Sequence, residues 1–114
     1  MNETVDMPLE ISVEQVKEML DQQGDFLLLD CREPAEFEIC RLPESQLIPL
    51  NDIPQHLDHL THESQRQVVV MCHHGTRSLM AARWLRKNGI ENAQSMAGGI
   101  DEWSLKIDGG VPRY

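Results

Sequence analysis

The stretch from Val68 to Ser78 constrains the fold of this chain more than any other. It opens with Val-Val-Val-Met, a continuous apolar run that is typical of a strand buried on both faces of a parallel sheet. The residues from Leu79 to Leu85 then present a broad apolar face, and Asn88-Gly89 follows as a stop signal, which predicts a helix. We therefore expect Cys72 at the point where a strand ends and a helix begins, beneath the free N–H groups of its first turn.

That position favours an anionic sulfur. Unpaired N–H groups and the positive end of the helix dipole stabilise anions, so a cysteine beside them loses its proton more readily. Gly75 allows the loop to turn tightly, and Arg77 adds positive charge, as do His73 and His74 when protonated. The sequence thus predicts a loop that holds one anionic sulfur and one anionic group brought to it. This hypothesis requires that the sulfur is reachable from solvent and that the loop amides face it.

The spacing within this loop points to a family. Cys72-His-His-Gly-Thr-Arg77-Ser78 resembles the active-site loop of rhodanese-like sulfurtransferases (the thiosulfate sulfurtransferase family), whose cysteine carries a persulfide. Four residues separate Cys72 from Arg77. The related protein tyrosine phosphatases place five residues there and form a wider ring for phosphate. The shorter ring is similar to the sulfurtransferase form.

Two other segments carry the same resemblance. The segment 30–37, Asp-Cys-Arg-Glu-Pro-Ala-Glu-Phe, resembles the Asp-x-Arg-Glu-x-x-Glu-Phe signature of the family. The segment 98–103, Gly-Gly-Ile-Asp-Glu-Trp, is similar to its closing Gly-Gly-x-x-x-Trp motif. One departure is that Cys40-Arg41 stands where the family usually has Gly-His. The resemblance spans roughly residues 9 to 112.

The resemblance implies a site and a reaction. Cys72 is the expected catalytic nucleophile. The expected substrate-binding residues are His73, His74, Gly75, Thr76 and Arg77, and the residues expected to brace the loop are Asp30, Arg32 and Ser78. The reaction would move a sulfane sulfur from a small anionic donor, thiosulfate or a persulfide, through a Cys72 persulfide. The acceptor would be cyanide, a small thiol or a protein thiol, and neither a cofactor nor a metal is expected.

Two other functions remain open for the same loop. One is a sulfur-relay or regulatory binding module that acts on a partner protein and turns over poorly alone. The other is a phosphatase or arsenate reductase that uses the same thiolate, which the short ring disfavours.

Several chemically capable side chains have simpler explanations. Three consecutive metal ligands at Cys72, His73 and His74 rarely converge on one ion, so a metal site there is disfavoured. The histidines at 56, 59 and 62 recur at helical spacing but lie away from the apolar stripe, which favours a solvated face. Cys31 follows a buried strand and is a candidate resolving thiol, although a structural role is favoured. Asp30, Arg32, Glu33 and Glu36 are expected to form an ion network, and Cys40 has no assigned role.

The rest of the chain predicts alternating strands and helices. The strand candidates are 9–11, 26–29, 47–50 at a sheet edge, and 93–96; the helix candidates begin at Ser12, Pro34, Asn51 or Asp52, and Ile100. Gly24 is expected to close the first helix, and Ile100, Trp103 and Leu105 mark the last short helix. The expected fold is an α/β, rhodanese-like three-layer domain with a five-stranded parallel sheet flanked by helices, as a single domain over 1–114.

The net charge and the cysteine count limit the classes of binding partner and the cellular location that we expect. The 114 residues carry a net charge of -9, which argues against nucleic acid and anionic membranes as partners. Residues 1–8 are polar and acidic rather than an export signal. Three cysteines, an odd number, argue against a disulfide framework. A cytoplasmic, reducing location is expected.

Overall fold

The structure is a computed structural model that describes residues 7–62 and 66–114. Residues 1–6, which belong to the polar and acidic segment 1–8 discussed above, lie outside the described residues. The elements, in chain order, are β1 Glu10–Ile11, α1 Val13–Asp21, β2 Phe26–Asp30, α2 Pro34–Ile39, β3 Gln46–Leu47, a 3₁₀ helix Leu50–His56, α3 Leu57–His62, β4 Gln67–Met71, α4 Thr76–Lys87, β5 Ala93–Met96 and α5 Gly99–Lys106. No helix of the described residues is both long and apolar enough to cross a membrane.

The sheet has five parallel strands in the order β1-β5-β4-β2-β3, which confirms the expected fold class. The central strand β4 is the predicted run, and residues 68–71 within it are fully buried. Its side chains alternate between two core layers, because successive residues of a strand point to opposite faces. Val68, Val70 and Cys72 belong to the layer that α3 and α4 cover, whereas Val69 and Met71 belong to the layer under α1 and α5. Helices therefore cover both faces.

Strand pairing brings two cysteines to the same edge of the sheet. β2 and β4 are neighbours in register, with Asp30 opposite Met71 at their carboxyl ends. The backbone N–H of Cys31 donates to the carbonyl of Met71 at 3.0 Å, so the pairing continues one residue past the assigned strands. Cys31 and Cys72 therefore lie side by side at the carboxyl edge, where parallel α/β sheets carry their sites.

The sequence predicted some helix ends correctly and others wrongly. Ser12 caps α1 in the predicted capping box with Gln15. The expectation that Gly24 closes this helix was wrong, because Gln23 takes the left-handed conformation (φ 53°) that ends it. Asn51 and Asp52 do not cap the next helix either. The N–H of Asp52 donates to the carbonyl of Pro49 at 2.8 Å in a 3₁₀ turn, and Pro49 occupies the cap position without a side-chain bond.

Two further elements lie where they were predicted but differ in detail. The edge strand β3 is shorter than expected, since it ends at Leu47 before Pro49. The last helix contains Ile100, Trp103 and Leu105 as expected, but Leu105 is 58% exposed, whereas Ile100 and Trp103 are buried. The helical period explains the difference: positions 100, 103 and 104 share the buried face of α5, and Leu105 falls beside it.

Candidate active site

A glycine makes the tight turn in the loop between β4 and α4. Gly75 precedes α4 with φ 102°, in the left-handed region that favours glycine, and this turn brings the chain back over the end of β4. A Cβ at Gly75 would lie 3.1 Å from the backbone nitrogen of Gly98. A side chain at position 75 would therefore be strained by the positive φ and crowded against Gly98.

The start of α5 supports the loop from behind. The N–H groups of Ile100 and Asp101 donate to the carbonyls of Cys72 (2.8 Å) and His73 (3.1 Å). Gly99 has φ 64°, and a Cβ there would collide with these same two carbonyl oxygens. The sequence motif Gly98-Gly99 thus allows the first turn of α5 to bind the loop carbonyls directly. The sequence identified these glycines only as part of a family-like motif and did not predict this contact.

Backbone and side-chain donors surround the sulfur of Cys72. The N–H of Gly75 donates to Cys72 Sγ at 3.1 Å and the N–H of Ser78 does so at 3.3 Å. Ser78 Oγ lies 3.4 Å from the same sulfur and is itself held 2.7 Å from Ser95 Oγ. The amides therefore face the sulfur, as the hypothesis requires.

These contacts change the acidity of the thiol. The hydrogen bond from the Cys31 thiol, together with those from Ser78 and Gly75, lowers the pKa of Cys72 to about 5, against the opposing effect of burial. The same hydrogen bond to Cys72, with burial, raises the pKa of Cys31. The pair is therefore a thiolate at Cys72 beside a protonated thiol at Cys31 near neutral pH.

The sulfur is closed off from solvent in this structure. Cys72 is 0% exposed, so the requirement that its sulfur be reachable is not met by this conformation. The His73 ring stacks on the Tyr114 ring, with centroids 3.8 Å apart and planes 7° from parallel, and on the His74 ring, with centroids 3.9 Å apart. A donor can reach the sulfur only if side chains above it move.

Arg77 contacts a protein carboxylate. Its Nη1 and Nη2 lie 2.6 Å from Oε1 and 2.9 Å from Oε2 of Glu36, a bidentate ion pair between α4 and α2. This contact is the main reason why the pKa of Glu36 is lowered to about 2. That Arg77 binds an anionic donor stays a prediction; in this structure its guanidinium contacts the carboxylate of Glu36.

Arg32 forms the buried half of the same network. Its Nη2 lies 2.7 Å from Asp30 Oδ2, and both side chains are 0% exposed. Its Nη1 donates to Tyr114 Oη at 2.9 Å, and Tyr114 Oη donates to Glu36 Oε2 at 2.8 Å. Asp30, Arg32, Tyr114, Glu36 and Arg77 are thus joined in one chain of polar contacts. Tyr114 was missed at the sequence level, because a single tyrosine carries no local signal.

The remaining predicted residues lie at the surface of the loop or away from it. His74 is exposed, 3.9 Å from Asp101 at the nearest ion-pair atoms, and Thr76 is exposed at the first position of α4. The histidines at 56, 59 and 62 are exposed on the 3₁₀ helix and α3. In residues 7–62 and 66–114, no group of three or more His, Cys, Asp and Glu side chains is arranged to hold a metal ion.

Comparisons with known proteins identify the family of this chain. The sequence profile of the Rhodanese-like domain matches residues 12–106. The chain is 36% identical over 104 residues to adenylyltransferase and sulfurtransferase uba4 of Ogataea parapolymorpha, covering 91% of this chain and 25% of that protein. It is 31% identical over 99 residues to the putative sulfur carrier protein YrkF of Bacillus subtilis, covering 87% of this chain and 52% of that protein.

A solved structure matches along nearly its whole length. The rhodanese-like domain protein from Staphylococcus aureus superposes with a TM-score of 0.79 at 25% identity, covering 94% of this chain and 99% of that one. The curated relatives are longer: the chain spans about a quarter of the first of the two named above and about half of the second.

Proposed function

Because this chain belongs to the family of rhodanese-like domains, we propose that it transfers a sulfane sulfur through a persulfide on Cys72. The observation that carries the proposal is the Cys72 sulfur, which accepts hydrogen bonds from the amides of Gly75 and Ser78 at the N-terminus of α4. Such donors are fixed before the reaction and hold a negative sulfur without reorganising. Sulfurtransferase and sulfur carrier occur in the names of the two curated relatives.

The proposed reaction has two displacements. In the first, the Cys72 thiolate attacks the sulfane sulfur of thiosulfate, the sulfur–sulfur bond breaks, and sulfite leaves with the bonding electrons. The sulfane sulfur then carries the negative charge, at the end of a Cys72 persulfide. In the second, cyanide, a small thiol or a protein thiol attacks that outer sulfur and Cys72 departs as a thiolate. No general base is needed, because Cys72 is already ionised at neutral pH.

Each loop residue has a proposed part in this cycle. The backbone of His73, His74, Gly75 and Thr76 lines the space for the outer sulfur. Arg77 binds the anionic donor after the donor displaces Glu36 from the guanidinium. A bidentate guanidinium suits an oxyanion such as thiosulfate. Ser78 holds the sulfur of Cys72 from the helix side.

Behind the loop, Asp30 and Arg32 form a buried brace, and burial of both partners keeps that ion pair dry. Residues 9–112 are proposed to act as one catalytic unit. The reducing conditions of a cytoplasm suit a reaction that needs free thiolates.

Mass spectrometry of the intact protein tests the proposal directly. After incubation with thiosulfate and removal of the excess, the protein should gain the mass of one sulfur atom, and peptide mapping should locate it on Cys72. The Cys72→Ser variant should gain none, whereas Cys40→Ser should behave as wild type. Wild-type protein that shows no added sulfur at any time during the incubation, or a gain that persists in Cys72→Ser, would contradict the proposal. Hydrolysis of a small aryl phosphate by the wild type would favour phosphatase chemistry instead.

A second candidate is sulfur relay to a partner protein. The complete burial of Cys72 favours it, because a docking protein could supply the movement that opens the loop. Sulfur relay differs from direct transfer to small acceptors in its kinetics. Small donors would load Cys72 slowly. A partner protein captured on the immobilised chain would accelerate transfer. Rapid turnover with thiosulfate and cyanide alone would exclude a dependence on such a partner.

A further inference from the structure

Cys31 is the second thiol at the carboxyl edge of the sheet. It follows β2 as Cys72 follows β4, and the register that pairs Asp30 with Met71 places the two cysteines opposite each other at the next position. The hydrogen bond from Cys31 N–H to Met71 O, at 3.0 Å, keeps the two chains paired there. Neither thiol is in a disulfide in this structure.

The side chains of the pair point the same way. Cys31 and Cys72 belong to the same core layer, the one beneath α3 and α4, and both are 0% exposed. The two thiols therefore lie on the same side of neighbouring strands. Neighbouring strands lie about 4.8 Å apart, and a disulfide forms across Cα separations of about 4.4 to 6.8 Å, so the backbone spacing at this edge suits a bond. Cys40, in contrast, lies in the opposite core layer.

We propose that Cys31 resolves the Cys72 persulfide, forming a Cys31–Cys72 disulfide and releasing the sulfane sulfur as hydrosulfide. The inference rests on the proposed function, since it needs the persulfide. It adds a second activity at the same site: reduction of a sulfane sulfur to the sulfide level, with the two cysteines as the reductant.

The step is balanced without an external oxidant. Cys31 Sγ attacks Cys72 Sγ, the inner sulfur of the persulfide, and the bond between the inner and outer sulfurs breaks. The outer sulfur leaves with those electrons and takes the proton of the Cys31 thiol, as hydrosulfide. The two cysteine sulfurs are oxidised, and the sulfane sulfur is reduced. A small thiol or dithiol of the reducing compartment then reduces the disulfide and resets the site.

The state of Cys72 determines when Cys31 reacts. Before loading, Cys72 carries no outer sulfur, so Cys31 has no sulfur–sulfur bond to attack. After loading, the negative charge sits on the outer sulfur, and the inner sulfur becomes an electrophile next to Cys31. Because both groups belong to one chain and are already adjacent, the step is intramolecular and has a high effective concentration.

The test follows sulfur-loaded protein after the donor is removed, under anaerobic conditions. In the wild type, the species that has gained one sulfur should convert to one that lacks two hydrogen atoms relative to the reduced protein. One hydrosulfide should appear per protein, at a rate independent of protein concentration. Peptide mapping should find the peptide that contains Cys31 joined to the one that contains Cys72.

The variants separate Cys31 from the other thiols. Cys31→Ser should keep its added sulfur at least about ten-fold longer and form no disulfide. Cys31→Ala serves as a second variant in case serine disturbs the buried site, and Cys40→Ser, the matched control, should convert like wild type. Since mapping of the wild type needs no variant, the test does not depend on how the variants fold.

Four outcomes would overturn the inference. Wild-type protein that keeps its sulfur as long as Cys31→Ser would overturn the resolving step alone, as would a disulfide to Cys40. Wild-type protein that carries its added sulfur on Cys31, or that neither gains sulfur nor forms a disulfide, would overturn the proposed function as well. The two failures are therefore distinguished by the loading step.

Discussion

The carboxylate of Glu36 in α2 holds the guanidinium of Arg77 in α4 by two contacts, at 2.6 and 2.9 Å. An arginine in the first turn of a helix is placed unfavourably relative to the helix dipole, so an anion is needed nearby. In the closed state Glu36 is that anion. In the proposed reaction, an anionic donor competes with Glu36 for the same guanidinium. Substitutions of Arg77 and of Glu36 should therefore have opposite effects on the KM for the donor.

Arg77→Ala should weaken the use of anionic donors. Loss of charged hydrogen bonds to the donor should raise the KM for thiosulfate about ten-fold or more, which corresponds to about 1.4 kcal/mol, with a smaller effect on transfer from loaded Cys72 to cyanide. Steady-state kinetics with thiosulfate and cyanide measures both. Arg77→Lys, the matched control, keeps the charge but not the fork and should recover part of the loss. Kinetics identical to wild type in Arg77→Ala would refute the role.

Glu36→Gln should lower the KM for thiosulfate, which Arg77→Ala is expected to raise. The glutamine still fills the space but no longer carries the charge that competes for Arg77, so the KM for thiosulfate should fall several-fold. Glu38→Gln, on the exposed face of the same helix, removes one charge from the protein without touching Arg77 and should leave the KM unchanged. A rise in KM for Glu36→Gln would show that Glu36 positions Arg77 productively instead of competing for it.

Reactivity of Cys72 should depend on pH in one direction only. Its pKa is lowered to about 5, so the thiolate is the main form above that pH and is lost as the pH falls through it. The rate of persulfide formation should be flat from about pH 6 to about pH 8 and decline below about pH 5. Ser78→Ala removes a hydroxyl donor to the sulfur and should move the midpoint upward. A midpoint in the wild type near 9.0, the ordinary value, would contradict the arrangement of donors.

Tyr114 should slow access to the sulfur. Its ring stacks on His73, next to Cys72, so Tyr114→Ala should speed modification of Cys72 by a small thiol reagent several-fold. Tyr114→Phe keeps the stacked ring but loses the hydroxyl contacts with Arg32 and Glu36. It should behave like wild type if stacking limits access, and like Tyr114→Ala if the hydroxyl does. Equal rates in all three proteins would show that another movement opens the loop.

Much of the fold was predictable because its signals are local. The apolar run 68–71 identified the central strand, since a parallel strand is buried on both faces. The Ser12 and Gln15 capping box identified the start of α1. Local signals failed where turns were involved. Gln23 adopts the left-handed conformation that the pattern assigned to Gly24. Pro49 occupies the cap position of the next helix, so neither Asn51 nor Asp52 caps it.

The sequence alone placed Cys72 at the end of a buried strand and in front of a helix, because an apolar run, a short loop with Gly75 and a helical pattern are all properties of neighbouring residues. Only the tertiary structure decided what surrounds that cysteine. Arg77 meets Glu36 across 41 residues of chain, Tyr114 meets Glu36 across 78, and Cys31 meets Cys72 through the pairing of β2 with β4. Such contacts depend on how the layers of helices and sheet pack together, and no local pattern of residues encodes that packing.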